Sequence, residues 1–468
     1  MSVPFCLLLV MIAFAPVTFP VWWERNYIRV CLALSLLTFG IYLFAMPGDF
    51  AMRTVSAGWR FWGAARDALS LITLIGGLFV VAGGIHIRPG GRATPAGGVL
   101  FLTVGALLSN LFGTTGASVL LIRPWIQWNR NRPAPHQIVF FIFIVSNIGG
   151  SLTPVGDPPL LAGWLRGIPF WWMAVHGWPV WCMVMTMLLA AYFTLDSLHA
   201  RQHQGNVGPR GGDVAVRWTV QGWPNLAFLI LILAATFIKK PAFLREAVII
   251  AAAVVSYRTT RPEIRQAAGF DPHPLIEISF LFLALFITMI PALDWIEFHA
   301  KSWATPGVSS VYWATGAASS VLDNMPSYLA VLQTCLGSLV EPEVVVGVQK
   351  LLHHGSDVGA SPEVLQTFEA LRRFFPGEAA SGAAAPDTIR MACLLGNARF
   401  HPYLLALGFG AVFFGACTYI GNAPNLVVRA IAARSQAAPP SFAWYVVGFV
   451  VPLLLPMLAL LWWLFFRG

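Results

Sequence analysis

Ser146-Asn147-Ile148-Gly149-Gly150-Ser151-Leu152-Thr153-Pro154-Val155-Gly156-Asp157-Pro158-Pro159 interrupts one long apolar run of this chain, and Thr418-Tyr419-Ile420-Gly421-Asn422-Ala423-Pro424-Asn425 interrupts another. A helix in lipid can break only where its freed N–H and C=O groups meet protein or a water-filled cavity. One polar break at membrane depth in each half of a chain is the pattern of a transporter whose solute binds between broken helices. These two stretches therefore decide the fold class: an all-α polytopic membrane protein.

Composition agrees. Hydrophobic residues make up 57% of the 468 and charged residues 10%, against about 25% charged in a soluble domain. Mean hydropathy is +0.71. The 19 Trp and 34 Phe suit aromatic belts and lipid-facing surfaces. The net charge of +9 is carried by Arg and Lys in short connections between apolar runs, where they set topology and give no reason to expect a nucleic-acid partner. Six scattered cysteines without a Cys-x-x-Cys pair suggest neither a zinc site nor a disulfide framework. The first apolar run, Val3 to Val21, lacks a basic leader and is followed by Trp22-Trp23-Glu24-Arg25, so it reads as a retained span.

A span needs roughly 20 apolar residues. Ordinary candidates run near 4–21, 28–46, 68–87, 169–195, 223–238, 243–257, 274–293 and 440–466. Four further regions, 98–126, 137–164, 309–340 and 400–434, are each interrupted by Gly, Pro, Asn or Asp. The expected architecture is about eleven transmembrane helices plus two re-entrant hairpins. The hairpins fall near 98–126 and 309–340, the broken helices near 137–164 and 400–434. The domain order is then 1–67 (N-terminal scaffold), 68–222 (first repeat), 223–308 (scaffold or linking helices), 309–434 (second repeat, with a polar insertion at 341–398) and 440–468 (C-terminal helix). The loops around 196–222, with Arg201, Arg210 and Arg217, and 258–273, with Arg258, Arg261 and Arg265, are expected on one side, the cytoplasmic one; Lys239, Lys240 and Arg245 between them oppose that reading. Within the insertion, Ser361-Pro362 reads as a helix start, followed by Val364, Leu365, Phe368, Leu371 and Phe375 at amphipathic spacing. The Ala-Gly run 379–385 reads as a linker.

The breaks repeat. Thr153, Gly156 and Pro159 align with Thr418, Gly421 and Pro424, Asp157 faces Asn422, and Gly150 matches Gly415. Aligning Gly113–Ser118 with Leu322–Ser327 pairs Thr114 with Asp323, Thr115 with Asn324 and Ser118 with Ser327. With about five spans between the hairpin tips, the two repeats are expected to be inverted.

Asp157 and Asp323 are the sharpest candidates for chemistry, because an Asp at the bilayer centre costs about 3 kcal/mol and is kept where it faces a cavity and binds a cation or proton. Thr153, Asn147, Asn324, Thr418, Asn422 and Asn425 supply neighbouring oxygen ligands suited to a small hard cation, and Thr114, Thr115 and Ser118 line the opposing tip. Each hydroxyl or amide also has a plain reading as a helix cap or turn. His86, His176 and His401, near span ends, read as interfacial hydrogen-bonding residues, and Asp67 and Glu277 as interfacial charges at helix starts. Arg123 and Arg429 follow the polar tips and breaks; they suit snorkelling to the membrane surface and would also hold a carboxylate.

In these motifs the chain resembles the ion transporter superfamily, in its branch of NhaD-type sodium:proton antiporters and citrate transporters (CitMHS-like). The matching segments are Phe112–Pro124, Val139–Gly150, Thr153–Leu161, Ser319–Ala330 and Gly410–Val428. The resemblance implies a multi-pass protein of the bacterial inner membrane, a homodimer of scaffold and transport domains, and elevator-type movement. It places hairpin tips at Gly113–Ser118 and Asp323–Ser327 and unwound loops at Ser151–Pro159 and Thr418–Asn425. Dicarboxylate transporters of the superfamily carry Ser-Asn-Thr at both tips, whereas here they read Gly-Thr-Thr and Asp-Asn-Met. An Asp near the site repels citrate unless a cation neutralises it. The leading expectation is therefore a sodium:proton antiporter, with Asp157 and Asp323 as the sodium and proton ligands. The alternative is a cation-coupled citrate or other carboxylate transporter on the same fold. No cofactor is expected beyond the transported sodium and protons, and no enzymatic activity: an intramembrane aspartyl protease would need Gly at 154, where Pro154 stands, and Asp323 follows Pro291-Ala292-Leu293 rather than preceding it.

Overall fold

The computed structural model describes residues 2–45, 50–203, 217–238, 241, 243–300, 305–354, 360–435, 437 and 439–467. Arg210, Lys239, Lys240 and Asp357 lie outside them. Six helices are long and apolar enough to cross a bilayer: Val21–Phe44, Gly58–Ala82, Pro95–Asn129, Trp172–Gln202, Ala398–Cys417 and Phe442–Phe466. Two bent pairs, Leu275–Thr288 with Ile290–Ile296 (42°) and Asn324–Leu339 with Pro342–His353 (80°), bring the number to eight among the described residues. Three shorter apolar helices, Val3–Pro16, Pro135–Gly150 and Asn225–Ala235, join them.

Pro95–Asn129 is a hairpin. Its one non-helical residue is Gly113, at φ 78°, ψ 151°, a left-handed conformation that L side chains avoid. The chain turns back there: Phe101 meets Trp125 (ring centroids 5.0 Å) and Trp128 (6.1 Å), and Leu121 packs at Gly105. The second hairpin consists of Val308–Val321 and Asn324–Leu339, with the turn at Leu322-Asp323.

Contacts at helix ends sort the connections into two faces. On one, strand β1 (His86–Arg88) pairs antiparallel with strand β2 (Thr219–Gln221). Asn225 donates to Gly84 O (2.9 Å) and Thr260 Oγ1 (3.0 Å), and Arg123 reaches Gly269 O. The described ends of the 196–222 loop and the 258–273 loop thus share a face, as the two spans between them imply; it carries Arg88, Arg130, Arg132, Arg258, Arg261 and Arg265 and is called the basic face below. The two three-residue strands are an addition to the all-helical expectation. On the far face, Ser309 donates to Phe466 O (2.8 Å), Tyr42 to Asp294 (2.7 Å) and Ser70 to Glu246 (2.7 Å).

The first hairpin therefore enters from the basic face and the second from the far face. The first broken helix, Pro135–Ile144 with Pro158–Leu165, runs from the basic to the far face; the second, His401–Phe414 with Ala423–Arg434, runs the other way. The repeats are inverted. The insertion forms four helices on the far face, Pro342–His354, Pro362–Phe374, Pro376–Ser381 and Pro386–Gly396. Ser361 caps the second of these, accepting from Val364 N–H (3.4 Å), and Val364 and Leu371 are buried. The run 379–385 is not a plain linker: its first residues finish the helix Pro376–Ser381 before the chain turns at Gly382.

Candidate functional site

The two unwound loops are built on one plan. In the first, Thr153 Oγ1 donates to Asn110 O (2.5 Å) and accepts from Gly156 N–H (3.2 Å). In the second, Thr418 Oγ1 donates to Ser320 O (2.6 Å) and accepts from Gly421 N–H (3.0 Å). Each threonine pins its loop to an arm of a hairpin and closes a local turn. A glycine pair lies at each crossing. A Cβ on Gly156 would strike Gly150 O, and one on Gly421 would stand 2.7 Å from Gly415 O. These backbones touch at a spacing that only glycine permits. Each loop then starts a new helix: Asp157 is the N-cap of Pro158–Leu165 and Asn422 that of Ala423–Arg434. Proline at the first turn leaves no N–H unsatisfied there.

The loops and the hairpin tips converge on Asp157, which is 1% exposed. Its Oδ1 accepts from Thr114 Oγ1 of the first tip (2.7 Å) and from Asn422 Nδ2 of the second loop (3.1 Å). Its Oδ2 accepts from Asn324 Nδ2 of the second tip (2.8 Å). All four broken elements thus meet at a single carboxylate. Charge-assisted hydrogen bonds of this kind contribute about 1.5–3 kcal/mol each, enough to offset the roughly 3 kcal/mol that a mid-membrane Asp costs.

Neighbouring groups fix the orientation of the donors. Asn324 Oδ1 accepts from Ser319 Oγ (2.6 Å), which turns its amide N–H toward Asp157. Asn422 Nδ2 also reaches Asn147 Oδ1 (3.1 Å). Asn147 Nδ2 donates to Asn425 Oδ1 (2.7 Å) and Ile142 O (2.9 Å). Asn425 Nδ2 donates to Gly415 O (2.8 Å) and Thr418 O (2.9 Å), carbonyls that lost their helical partners where the second helix breaks. Asn147, Asn422 and Asn425 form a chain of amides joining the two broken helices behind the carboxylate.

Not every expected ligand reaches the chamber. Thr153 and Thr418 hold the loops in place. Ser118 bonds Ser146 Oγ (2.8 Å), behind the first tip. Thr115 is half-buried and lines, with Thr114 and Asp157, a small cleft of about 20 Å³ at the first tip, but makes none of the hydrogen bonds to Asp157. Asp323 is the larger departure. It caps the helix Asn324–Leu339, accepting from Met325 N–H (3.3 Å), and faces a separate cavity of about 450 Å³ with Glu277 and Arg429. Asp157 and Asp323 do not form one cation cage. The hairpin alignment also shifts by one residue. Thr114 corresponds to Asn324, since both donate to Asp157 and both pack on the first glycine of a matching pair, Gly150 and Gly415; Gly113 therefore corresponds to Asp323.

Three buried residues escaped the sequence reading. Ser109 donates to Val145 O (2.7 Å), Ser319 shares its one hydroxyl hydrogen between Asn324 Oδ1 (2.6 Å) and Ala411 O (2.5 Å), and Asn110 donates to Gly149 O (2.5 Å), while Asn110 Oδ1 accepts from Leu152 N–H (2.9 Å). They stitch the hairpin arms to the broken helices. Their signal was present: Ser109-Asn110 and Ser319-Ser320 each stand just before a tip, inside an apolar arm. Of the two arginines considered as carboxylate holders, Arg123 lies at the basic face on Gly269 O, whereas Arg429 lines the large cavity. His176 and His401 meet each other at the far face (ring centroids 4.9 Å), away from Asp157.

A family model described as "Putative citrate transport" matches residues 1–466, so the chain belongs to that family of membrane transporters. The inner membrane protein YbiR of Escherichia coli (strain K12) is 26% identical over 300 residues, which cover 60% of this chain and 74% of YbiR.

Proposed function

We propose that this transporter exchanges sodium for protons, and that Asp157 takes the two in turn. The observation that carries the reading is the convergence of all four broken elements on Asp157. Its two oxygens accept three hydrogen bonds. A proton on Oδ1, which already accepts two hydrogen bonds, displaces a donor and loosens the first hairpin tip or the second loop. Sodium asks for oxygen ligands, which Thr114 Oγ1 and the amide oxygens of Asn324 and Asn422 supply once those side chains turn. Proton and sodium thus demand different arrangements of the same side chains, which is what coupling requires. Movement is of the elevator type, the hairpins and broken helices shifting against the helices Phe50–Ala82 and His273–Thr288, and the working unit is a homodimer. The YbiR likeness supports a place in a bacterial inner membrane, with the basic face toward the cytoplasm.

The test is proton flux in proteoliposomes with an internal pH reporter and a sodium gradient. Asp157→Asn keeps the shape of the site and removes its charge, so sodium-driven flux is expected to vanish while insertion persists. Full exchange in that variant would remove Asp157 from the mechanism.

A second reading, cation-coupled uptake of citrate or another carboxylate, draws on the family's description and on the helix N-termini at Asn324, Pro158 and Ala423 that surround the chamber. Against it, the side-chain donors Thr114, Asn324 and Asn422 are already turned onto Asp157, and no Arg, Lys or His side chain belongs to the Asp157 hydrogen-bond set. Labelled citrate uptake, driven by either gradient, separates the two.

A further inference from the structure

The cavity beside Asp323 has a composition that ion exchange at Asp157 leaves unexplained. It follows one stripe of the helix Ala423–Arg434, from Ala423 beside the chamber to Ala433 near the basic face, a path of about 15 Å at 1.5 Å per residue. Its volume of about 450 Å³ lies within the roughly 300–1,000 Å³ of small-molecule sites and is far more than a bare cation fills. Its walls are apolar: Ile278, Leu281, Phe282 and Leu285 on one helix, Leu426 and Val427 on the other.

Three charged side chains interrupt those walls. Glu277 accepts from Trp23 Nε1 (3.1 Å) and Asp323 from Met325 N–H (3.3 Å). Arg429 is half-buried, and its guanidinium lies over the Tyr419 ring at 4.8 Å. Among the described residues no carboxylate pairs with it. Glu277 and Asp323 face the same cavity without pairing with Arg429, and a partly desolvated guanidinium with no carboxylate in contact is a local recognition group for one anionic oxygen pair.

We propose that this cavity binds a small amphipathic monocarboxylate, with its carboxylate on Arg429 and its alkyl or aryl body along Leu281, Phe282, Leu285 and Leu426. A tricarboxylate suits these walls poorly, since one guanidinium would face three charges. The site is separate from the Asp157 chamber, and its occupant does not depend on which ion Asp157 carries.

The test is saturable binding of carboxyl-labelled octanoate to the full-length protein in lipid nanodiscs, with empty nanodiscs as the blank. One site is expected. Arg429→Gln should weaken it about tenfold or more, and Ala430→Trp, which fills the cavity without touching the charge, should abolish it. Arg123→Gln should leave it unchanged. Asp157→Asn should retain octanoate binding even where ion exchange is lost, which separates this proposal from the proposed function. Octyltrimethylammonium, with the same body and the opposite charge, should not displace octanoate. Wild-type binding in Arg429→Gln, binding retained in Ala430→Trp, or equal displacement by the ammonium ion would overturn the proposal and reduce the cavity to an unselective apolar crevice.

Discussion

Two clefts flank the Asp157 chamber, and corresponding positions line them. The first is bounded by Gly113, Val155, Pro158 and Leu161 and closed by Leu74, Ile75 and Leu78 of the helix Phe50–Ala82. The second is bounded by Asp323, Ile420, Ala423 and Leu426 and faces Ile278, Leu281, Phe282 and Leu285 of the helix His273–Thr288. The first encloses about 20 Å³ and the second about 450 Å³. Inverted repeats with one plan have adopted unequal packings: the cleft of the first repeat, which Asp157 itself lines, is nearly closed, and the cleft of the second, which Asp323 lines, is open. Beyond the closed cleft lies a polar clasp. Arg245 contacts Glu246 (2.6 Å) and Ser70 (2.9 Å), and its guanidinium lies over Trp164 of the first broken helix at 5.3 Å. No matching clasp is seen across the open cleft among the described residues.

The harshest way to break this comparison is at the glycine crossings. Gly156→Ala places a methyl group on Gly150 O with no room to shift, so a loss of about 3 kcal/mol in stability is expected. Gly421→Ala meets Gly415 O at 2.7 Å and should cost less; thermal melts of the two variants in detergent rank them. Equal melts would mean that the crossings are not packed alike.

Accessibility addresses the asymmetry directly. In a cysteine-free background, Leu426→Cys should react with a water-soluble thiol reagent applied to the basic face, while Leu161→Cys should resist reagent from either face. Rapid labelling of both would refute a one-sided opening. Arg245→Ala removes the clasp over Trp164, worth about 1–2 kcal/mol in a partly desolvated site. It should raise labelling of Leu161→Cys from the far face and slow that of Leu426→Cys, as a shifted equilibrium requires. The smallest expected effect is at the first tip: Thr115→Ala should change stability and flux little, within about 0.5 kcal/mol, whereas Thr114→Ala, one residue away, removes a donor from Asp157 and should slow sodium-driven flux. Equal effects would restore the one-residue-shifted alignment read from sequence.

Much of this arrangement was legible beforehand, for a physical reason. Lipid forbids unpaired backbone, so Gly, Pro, Asn and Asp inside apolar runs marked both loops and both tips. Depth was legible and direction was not. Asp157 and Asp323 look alike as acids in apolar surroundings; they differ in which side of an N-cap each presents, and spacing does not encode that. The hairpin register slipped for a similar reason: Gly113 turns the chain in a conformation Asp323 does not adopt (φ 78° against −55°), so the polar letters aligned better one place off. Strands β1 and β2 are three residues each, too short for an alternating pattern. Ser109, Asn110 and Ser319 stand beside the tips in sequence, but their role depends on the positions of the carbonyls they serve, Val145, Gly149 and Ala411.

The insertion also packs on the core beyond its own repeat. The Phe375 ring fills the space over Gly167, just past the end of the first broken helix, while Tyr328 and Gln333 of the second hairpin meet Gly163 and Arg166 of that same helix. The half of the chain that carries this extra mass is thereby bolted to the half that lacks it. Whatever grips the outer side of Pro362–Phe374, a tag on Arg372 or a binding protein, would load both halves at once.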